Sequence, residues 1–394
     1  MNDELYVTAG SKLYKINSAG TATALGTVTG DGPVTMATNG DILVIVAEPS
    51  GFSYTRSTGT FAQITDSVFT AWGARAVAFL DGYFIFVIPN SNQFFNSGLN
   101  ALTFNALDYT SADAQPGNLT GIMVSGQRQI FLMKKDHIEV WYNAGNATGS
   151  PFSRLPSGAV NIGVLAPLSM VDTTSGVYFL ANDGTIRKFV GSQPQIVSNI
   201  GTDEIISNDD QTGAIGFAYN QKGGLFYGLS LSNATILFNA ATGEPHNRES
   251  YGLTRWRACY TADVYGGIYA GDRTTGKWGK LDLSAYQEFG DPQTVKIRPQ
   301  NVYKDGKLLK HKRLELNYNA GEVTVGTTPQ CTLVKSDNGG KSFQTVSIKD
   351  MPQTGNYKGR LFWTQLGMSR DRVYEFQFAD AHPLIAADLQ LEVA

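Results

Sequence analysis

The sequence predicts an all-β protein: a β-propeller over residues 1–290 followed by a small β-sandwich-like domain over residues 291–394. Three observations predict it. Short apolar runs come in pairs around turn residues, as β-hairpins do. The pairs recur at roughly 40–50 residues up to about residue 290, a period that suits blades of four strands. Only 16% of the 394 residues are charged and 43 are glycine. That balance suits short strands and tight turns, not helices with exposed faces.

The elements follow in order. Leu5-Tyr6-Val7 precedes the turn Ala9-Gly10-Ser11, and Lys12-Leu13-Tyr14-Lys15-Ile16 then alternates polar with apolar, the mark of a half-buried strand. Asn39-Gly40-Asp41 opens the fully apolar run Ile42 to Val46, which reads as an inner strand buried on both faces. Asp81-Gly82 separates Val77-Ala78-Phe79-Leu80 from Tyr83 to Ile88, a strong hairpin signal. Further pairs are Gln129 to Met133 with His137 to Tyr142, and Gly176 to Leu180 with Thr185 to Phe189. Leu225 to Leu229 pairs with Ala234 to Phe238, and Gly267 to Asp272 with Lys277 to Leu281. Simple division gives six blades, and the degenerate repeats also fit five or seven. Helical turns are expected at Asn199 to Asn208 and at Asp282 to Phe289. The character changes near Asp291-Pro292, and strands from Thr294 to Val393 supply the second domain.

Composition narrows the function classes. The net charge is -3, where a protein that grips nucleic acid by its phosphates carries a basic excess. Passage of nucleic acid through a conduit is compatible with it. Two cysteines, Cys259 and Cys331, and four dispersed histidines offer neither a disulfide framework nor a zinc site. The N-terminal residues lack the sections of a signal peptide, and no apolar run is long enough to span a membrane. The sequons at Asn118, Asn146 and Asn233 therefore read as chance.

No nucleophile-elbow, metalloprotease or phosphate-loop motif occurs. Asp203-Glu204 and Asp209-Asp210 read as capping or solvated loop acids, not as facing glycosidase carboxylates. Ser336-Asp337-Asn338-Gly339-Gly340-Lys341-Ser342-Phe343 resembles an Asp-box, a braced hairpin, with Asn338 where Asp is usual. Lys296-Ile297-Arg298-Pro299 resembles an element of sialidases. Each stands alone outside the repeats, without a companion arginine set. The aromatics Phe94-Phe95, Trp141-Tyr142 and Trp256 read as wedges between blades. Lys304, Lys307, Lys310, His311, Lys312 and Arg313 form a basic run around Asp305-Gly306. Its plain reading is a solvated hairpin, and its sharper one a contact with an acidic partner or passing DNA.

Three stretches resemble the P22-type packaged-DNA stabilisation proteins, the tail hub or nozzle proteins of short-tailed bacteriophages. The first is Leu5 to Tyr14 leading into Leu25 to Val34. The second runs from Pro151-Phe152 through Gly176 to Leu180 and Gln195 to Ser198, then Trp256-Arg257-Ala258 and Gly271-Asp272. The third, the most specific, is the Asp-box-like hairpin followed by Gly355-Asn356-Tyr357 and Leu366-Gly367-Met368-Ser369-Arg370-Asp371-Arg372-Val373-Tyr374.

The resemblance implies a structural virion protein of the short tail, assembled in the host cytoplasm, without enzymatic activity or cofactor. Its copies would form a ring, a hexamer, below the portal and its adaptor or head-completion protein. The ring would extend the DNA channel, retain packaged DNA, permit its ejection, and carry fibre, spike or needle proteins. It would pass DNA without sequence-specific binding and carry no membrane anchor. Arg370, Asp371 and Arg372, with the run around Lys310, are the candidate interface or channel residues. An internal ion pair bracing the turn before Val373 is the competing account of that triplet. The competing function is a phage propeller that binds or degrades carbohydrate at the host surface, and a third is a cellular interaction scaffold.

Overall fold

The computed structural model describes residues 1–146, 148–319, 328–380, 382, 384 and 386–394. The chain forms two compact units, one of residues 1–248 and 254–280, the other of residues 249–253 and 281–394. The expected boundary at 290/291 lies inside the second unit. Among the described residues no helix is long and apolar enough to cross a membrane.

The first unit is a β-propeller of seven successive antiparallel sheets. The second to sixth have four strands each, whereas the first (Leu5–Ala9, Lys12–Ile16, Ala22–Thr27) and seventh (Ala258–Val264, Gly267–Asp272, Trp278–Lys280) have three. Simple division gave six because the short first sheet compresses its repeat below the period used for the count. Six nevertheless describes the axis. A cavity of about 480 Å³ is lined by residues leading into or opening the second to seventh sheets, among them Thr35, Ala76, Ile122, Leu168, Ile215 and Tyr260. On its wall Arg75 Nε donates to Glu48 Oε2 at 2.9 Å.

Alternation explains the packing. In Ile42–Ala47, Val44 and Val46 enter the core shared with the third sheet, while Leu43, Ile45 and Ala47 face the first. Successive side chains of a strand point to opposite faces, so a wholly apolar strand fits only between two sheets. Phe94 and Phe95 divide in the same way, and the Phe94 ring meets Trp141 edge-on at 5.3 Å. Phe94, Phe95, Trp141 and Trp256 are buried wedges, whereas Tyr142, on the opposite face of its strand from Trp141, is exposed.

First and last sheets meet through side chains rather than through a shared strand. Leu5 and Val7 pack on Val264. The Tyr265 hydroxyl donates to Ile16 O at 2.7 Å and accepts from Leu5 N, and Tyr265 N donates to Asp3 Oδ1 at 2.7 Å.

The helix Ile200–Ser207 forms where expected, capped by Asn199, whose Oδ1 accepts from Thr202 N, with Ile206 buried. A second helix, Ser67–Trp72, is capped by Asp66. The expected helical turn at 282–289 is absent. Asp282 Oδ1 takes both the amide and the hydroxyl of Ser284, an Asx turn that competes with helix. The chain then enters the small hairpin Gln287–Glu288 with Asp291–Pro292.

The second unit is a β-sandwich. One sheet orders Val295–Ile297, Asp371–Phe378, Gln330–Ser336 and Gln344–Asp350, with Val302–Tyr303 also on Asp371–Phe378. The other places Leu309–Tyr318 beside Leu361–Thr364, Met368–Ser369 and Ala386–Val393. Leu314, Leu316, Leu333, Trp363 and Phe376 share one core. Cys259 and Cys331 are buried and free, and burial pushes both thiols up to about 12.

Candidate interaction surface

The basic run is built on a tight hairpin. Lys307 N donates to Lys304 O at 2.9 Å, and Asp305 and Gly306 take φ of 50° and 69°. Positive φ at both central positions is the type I′ pattern, whose twist matches that of flanking strands. In Leu309–Tyr318 alternation then exposes Lys310 and Lys312 and buries Leu309 and His311. His311 Nε2 lies 2.9 Å from Ser369 Oγ, and burial lowers the pKa of its ring.

Arg370 joins this corner, donating from Nη1 to Gly306 O at 2.6 Å. Lys310 pairs in register with Met368, which fixes Lys304, Lys307, Lys310 and Arg370 at one end of the sandwich. Among the described residues no carboxylate pairs with these four. Tyr303, Leu308 and Met368 stand exposed between them. Apolar anchors interleaved with unpaired cations suit an acidic protein surface.

Lys312 and Arg313 are committed elsewhere. Lys312 Nζ reaches Glu392 Oε1 at 3.5 Å in an exposed pair. Arg313 donates to Glu315 Oε2 at 2.8 Å and lies over the Phe362 ring at 4.8 Å. Asp371 is half-buried, and its Oδ1 has no partner among the described residues.

Arg372 does not belong to the surface. It is 1% exposed and grips both oxygens of Asp337, Nη2 to Oδ2 at 2.8 Å, while Nη1 donates to Leu366 O at 2.6 Å. The Arg372 hydrogen bonds hold the Asp337 carboxyl below its ordinary range. For Arg372 the internal ion pair, not the interface, is what the structure contains. The reason is parity: Arg372 and Tyr374 share an inward position of their strand.

Asp337 belongs to the Asp-box-like hairpin, whose turn is braced as expected. Ser336 Oγ accepts from Gly340 N at 3.0 Å, and Asn338 Oδ1 from Ser342 N at 3.1 Å. Arg298, the other sialidase-like residue, donates to Glu375 Oε2 from Nε at 2.9 Å. Sequence reading missed Asp337 as the partner of Arg372. The available signal was a carboxylate inside a rigid hairpin beside a strand with an arginine at an inward position.

The sequence profile described as Bacteriophage P22 Gp10, beta-propeller, matches residues 1–286. The chain belongs to that family. The match covers all seven sheets of this phage propeller. No curated protein sequence matches the chain. Among solved structures, the Cps50 (Swd1) β-propeller domain of Myceliophthora thermophila is similar, with a TM-score of 0.50 and 9% identity over 72% of this chain and 94% of that one. That likeness shows the fold alone. The dihydro-heme d1 dehydrogenase NirN also aligns, at a TM-score of 0.46 and 10% identity over 91% of this chain and 75% of that one.

Proposed function

We propose that this phage propeller is a tail hub or nozzle subunit of the short tail. Its copies form a ring, a hexamer, below the portal and its adaptor or head-completion protein. The ring extends the DNA channel, holds packaged DNA and releases it at ejection. It acts without catalysis and without a cofactor. The observation that carries this reading is the family match over residues 1–286.

The chemistry supports it. A net charge of -3 gives the chain no basic excess with which to hold DNA by its phosphates. Four cations without a carboxylate partner among the described residues, Lys304, Lys307, Lys310 and Arg370, lie together at one end of the sandwich and suit docking on an acidic neighbour. Fibre, spike or needle proteins attach elsewhere on the ring.

The test is an amber knockout in the source phage. Heads that package DNA and then leak it, on particles that end at the adaptor, support the hub. Particles that keep their DNA yet cannot adsorb or attack the host surface overturn it.

A further inference from the structure

The basic corner has an acidic counterpart on the same chain. An open hollow of about 630 Å³ lies on the propeller, between the turn 182–184 of the fifth sheet and the helix Ile200–Ser207. Asp183, Asp203 and Glu204 line it, and no lysine or arginine does. Arg187 Nη2 donates to Asp183 Oδ2 at 2.6 Å, so that carboxylate is partly neutralised. Among the described residues no cation pairs with Asp203 or Glu204. Ile200 lines the hollow as well and is 87% exposed.

The turn 304–307 is the matching projection. It carries Lys304 and Lys307, and the bond from Arg370 Nη1 to Gly306 O braces it. Tyr303 and Leu308 flank the two lysines, 63% and 51% exposed. A braced turn has little freedom left to lose on docking, so more of its contact energy appears as affinity.

We propose that the turn 304–307 of one copy docks in the acidic hollow of the next, its lysines meeting Asp203 and Glu204 and its flanking apolar side chains meeting Ile200. The contact rests on the hub reading, because it is the interface of that ring. The two surfaces are opposite in charge, one projecting and one concave, and every copy carries both. Surfaces that differ from one another join copies head-to-tail, the kind of contact that closes into a ring. Opposite charges steer the encounter and fix its register. Duplex DNA would engage the lysines by its phosphates and leave Tyr303 and Leu308 without an apolar partner.

The test reverses each side of the contact and then both, with ring yield read by sedimentation of the full chain, alone and with its adaptor. Lys304→Glu/Lys307→Glu and Asp203→Lys/Glu204→Lys each lower the yield by about tenfold. The combined variant, with the charges exchanged, recovers to within about threefold of the unaltered chain. Where a reversal lowers the melting temperature, Lys307→Cys/Glu204→Cys takes its place. Its cysteines cross-link neighbouring copies into a ladder on non-reducing gels, and the buried Cys259 and Cys331 take no part. A ring that tolerates either reversal, or a combined variant no better than its parts, overturns the contact and leaves the hub reading standing. So do cysteines that give no ladder, and reversals that weaken duplex DNA binding but not ring yield. An unaltered chain that forms no ring overturns the hub reading, and the contact with it.

Discussion

Lys134 and Glu139 form an ion pair deep in the propeller, 1% and 0% exposed. Lys134 Nζ donates to Ala112 O and Gln115 O, each at 2.6 Å, and to Glu139 Oε1 at 3.2 Å. One ammonium thus pins the segment that joins the third sheet to the fourth. Lys134→Met keeps the bulk of the stem but leaves Glu139 charged and dry. Removing one partner of a buried pair costs about 3–5 kcal/mol. Glu139 retains Trp141 Nε1 at 3.2 Å, Ala114 N at 3.1 Å and Arg154 at 3.8 Å, which puts the cost near the lower end. About 3 kcal/mol is a large fraction of a domain's usual stability. Adding Glu139→Gln removes the stranded charge and keeps one acceptor oxygen, enough for either Trp141 Nε1 or Ala114 N but not both, because they bond Oε2 and Oε1 separately. The double variant Lys134→Met/Glu139→Gln is therefore more stable than Lys134→Met alone, by about 1–2 kcal/mol. Urea unfolding of the three proteins reads these differences from the midpoints. A loss below about 1 kcal/mol for Lys134→Met, or a double variant no more stable than the single one, refutes the reasoning.

Tyr265→Phe removes the hydroxyl that bridges the first and last sheets, and lowers stability by about 1–2 kcal/mol in the same assay; an unchanged midpoint shows that closure rests on the apolar contacts of Leu5, Val7 and Val264 and on the Tyr265 N–Asp3 bond. The Asp337 carboxyl titrates below its ordinary range because Arg372 binds it. Its stabilisation is full above about pH 4 and is lost as pH falls through the lower folded value. Asp337→Asn accordingly flattens the acid limb of the stability profile, and acid unfolding followed by circular dichroism shows whether it does. Reversing Lys304, Lys307 and Lys310 to Glu leaves the stability of the isolated chain within about 0.5 kcal/mol but blocks ring or adaptor assembly in sedimentation. Normal assembly removes this corner from the interface.

Strand identity was legible because each blade strand carries its own period. Ile42–Ala47 announces burial on both faces by being apolar throughout, and Asp81-Gly82 announces its hairpin by residue type. The sheet count was less legible, since the three-stranded first sheet differs from its neighbours only by a strand that is not there. The turn at 282–289 was misread because the competition is local: Asp282 bonds Ser284, and no periodicity registers that. At the interaction surface, alternation placed Lys310 and Lys312 outward but could not tell Arg370 from Arg372. The two share parity, but Arg370 sits in the bend before the strand Asp371–Phe378, whereas Arg372 lies within it on the inward side where Asp337 waits. Lys134 carried a readable sign, because Ile130, Leu132 and Lys134 share one face of their strand and that face is core.

The axial cavity of the propeller bears on how the hub would work. A cavity of about 480 Å³, enclosed by residues of six sheets, has the size of a small-molecule pocket rather than of a duplex channel. A duplex cannot pass along the propeller axis. Arg75 and Glu48 on the cavity wall also neutralise each other, so the axis offers phosphate no net attraction. Under the hub reading the conduit must therefore lie between copies, enclosed by a head-to-tail interface that closes by rotation. The ring is then a requirement of the function, not an accessory to it. A chain that stays monomeric by sedimentation, alone and with its adaptor, has no path for DNA and cannot be a hub.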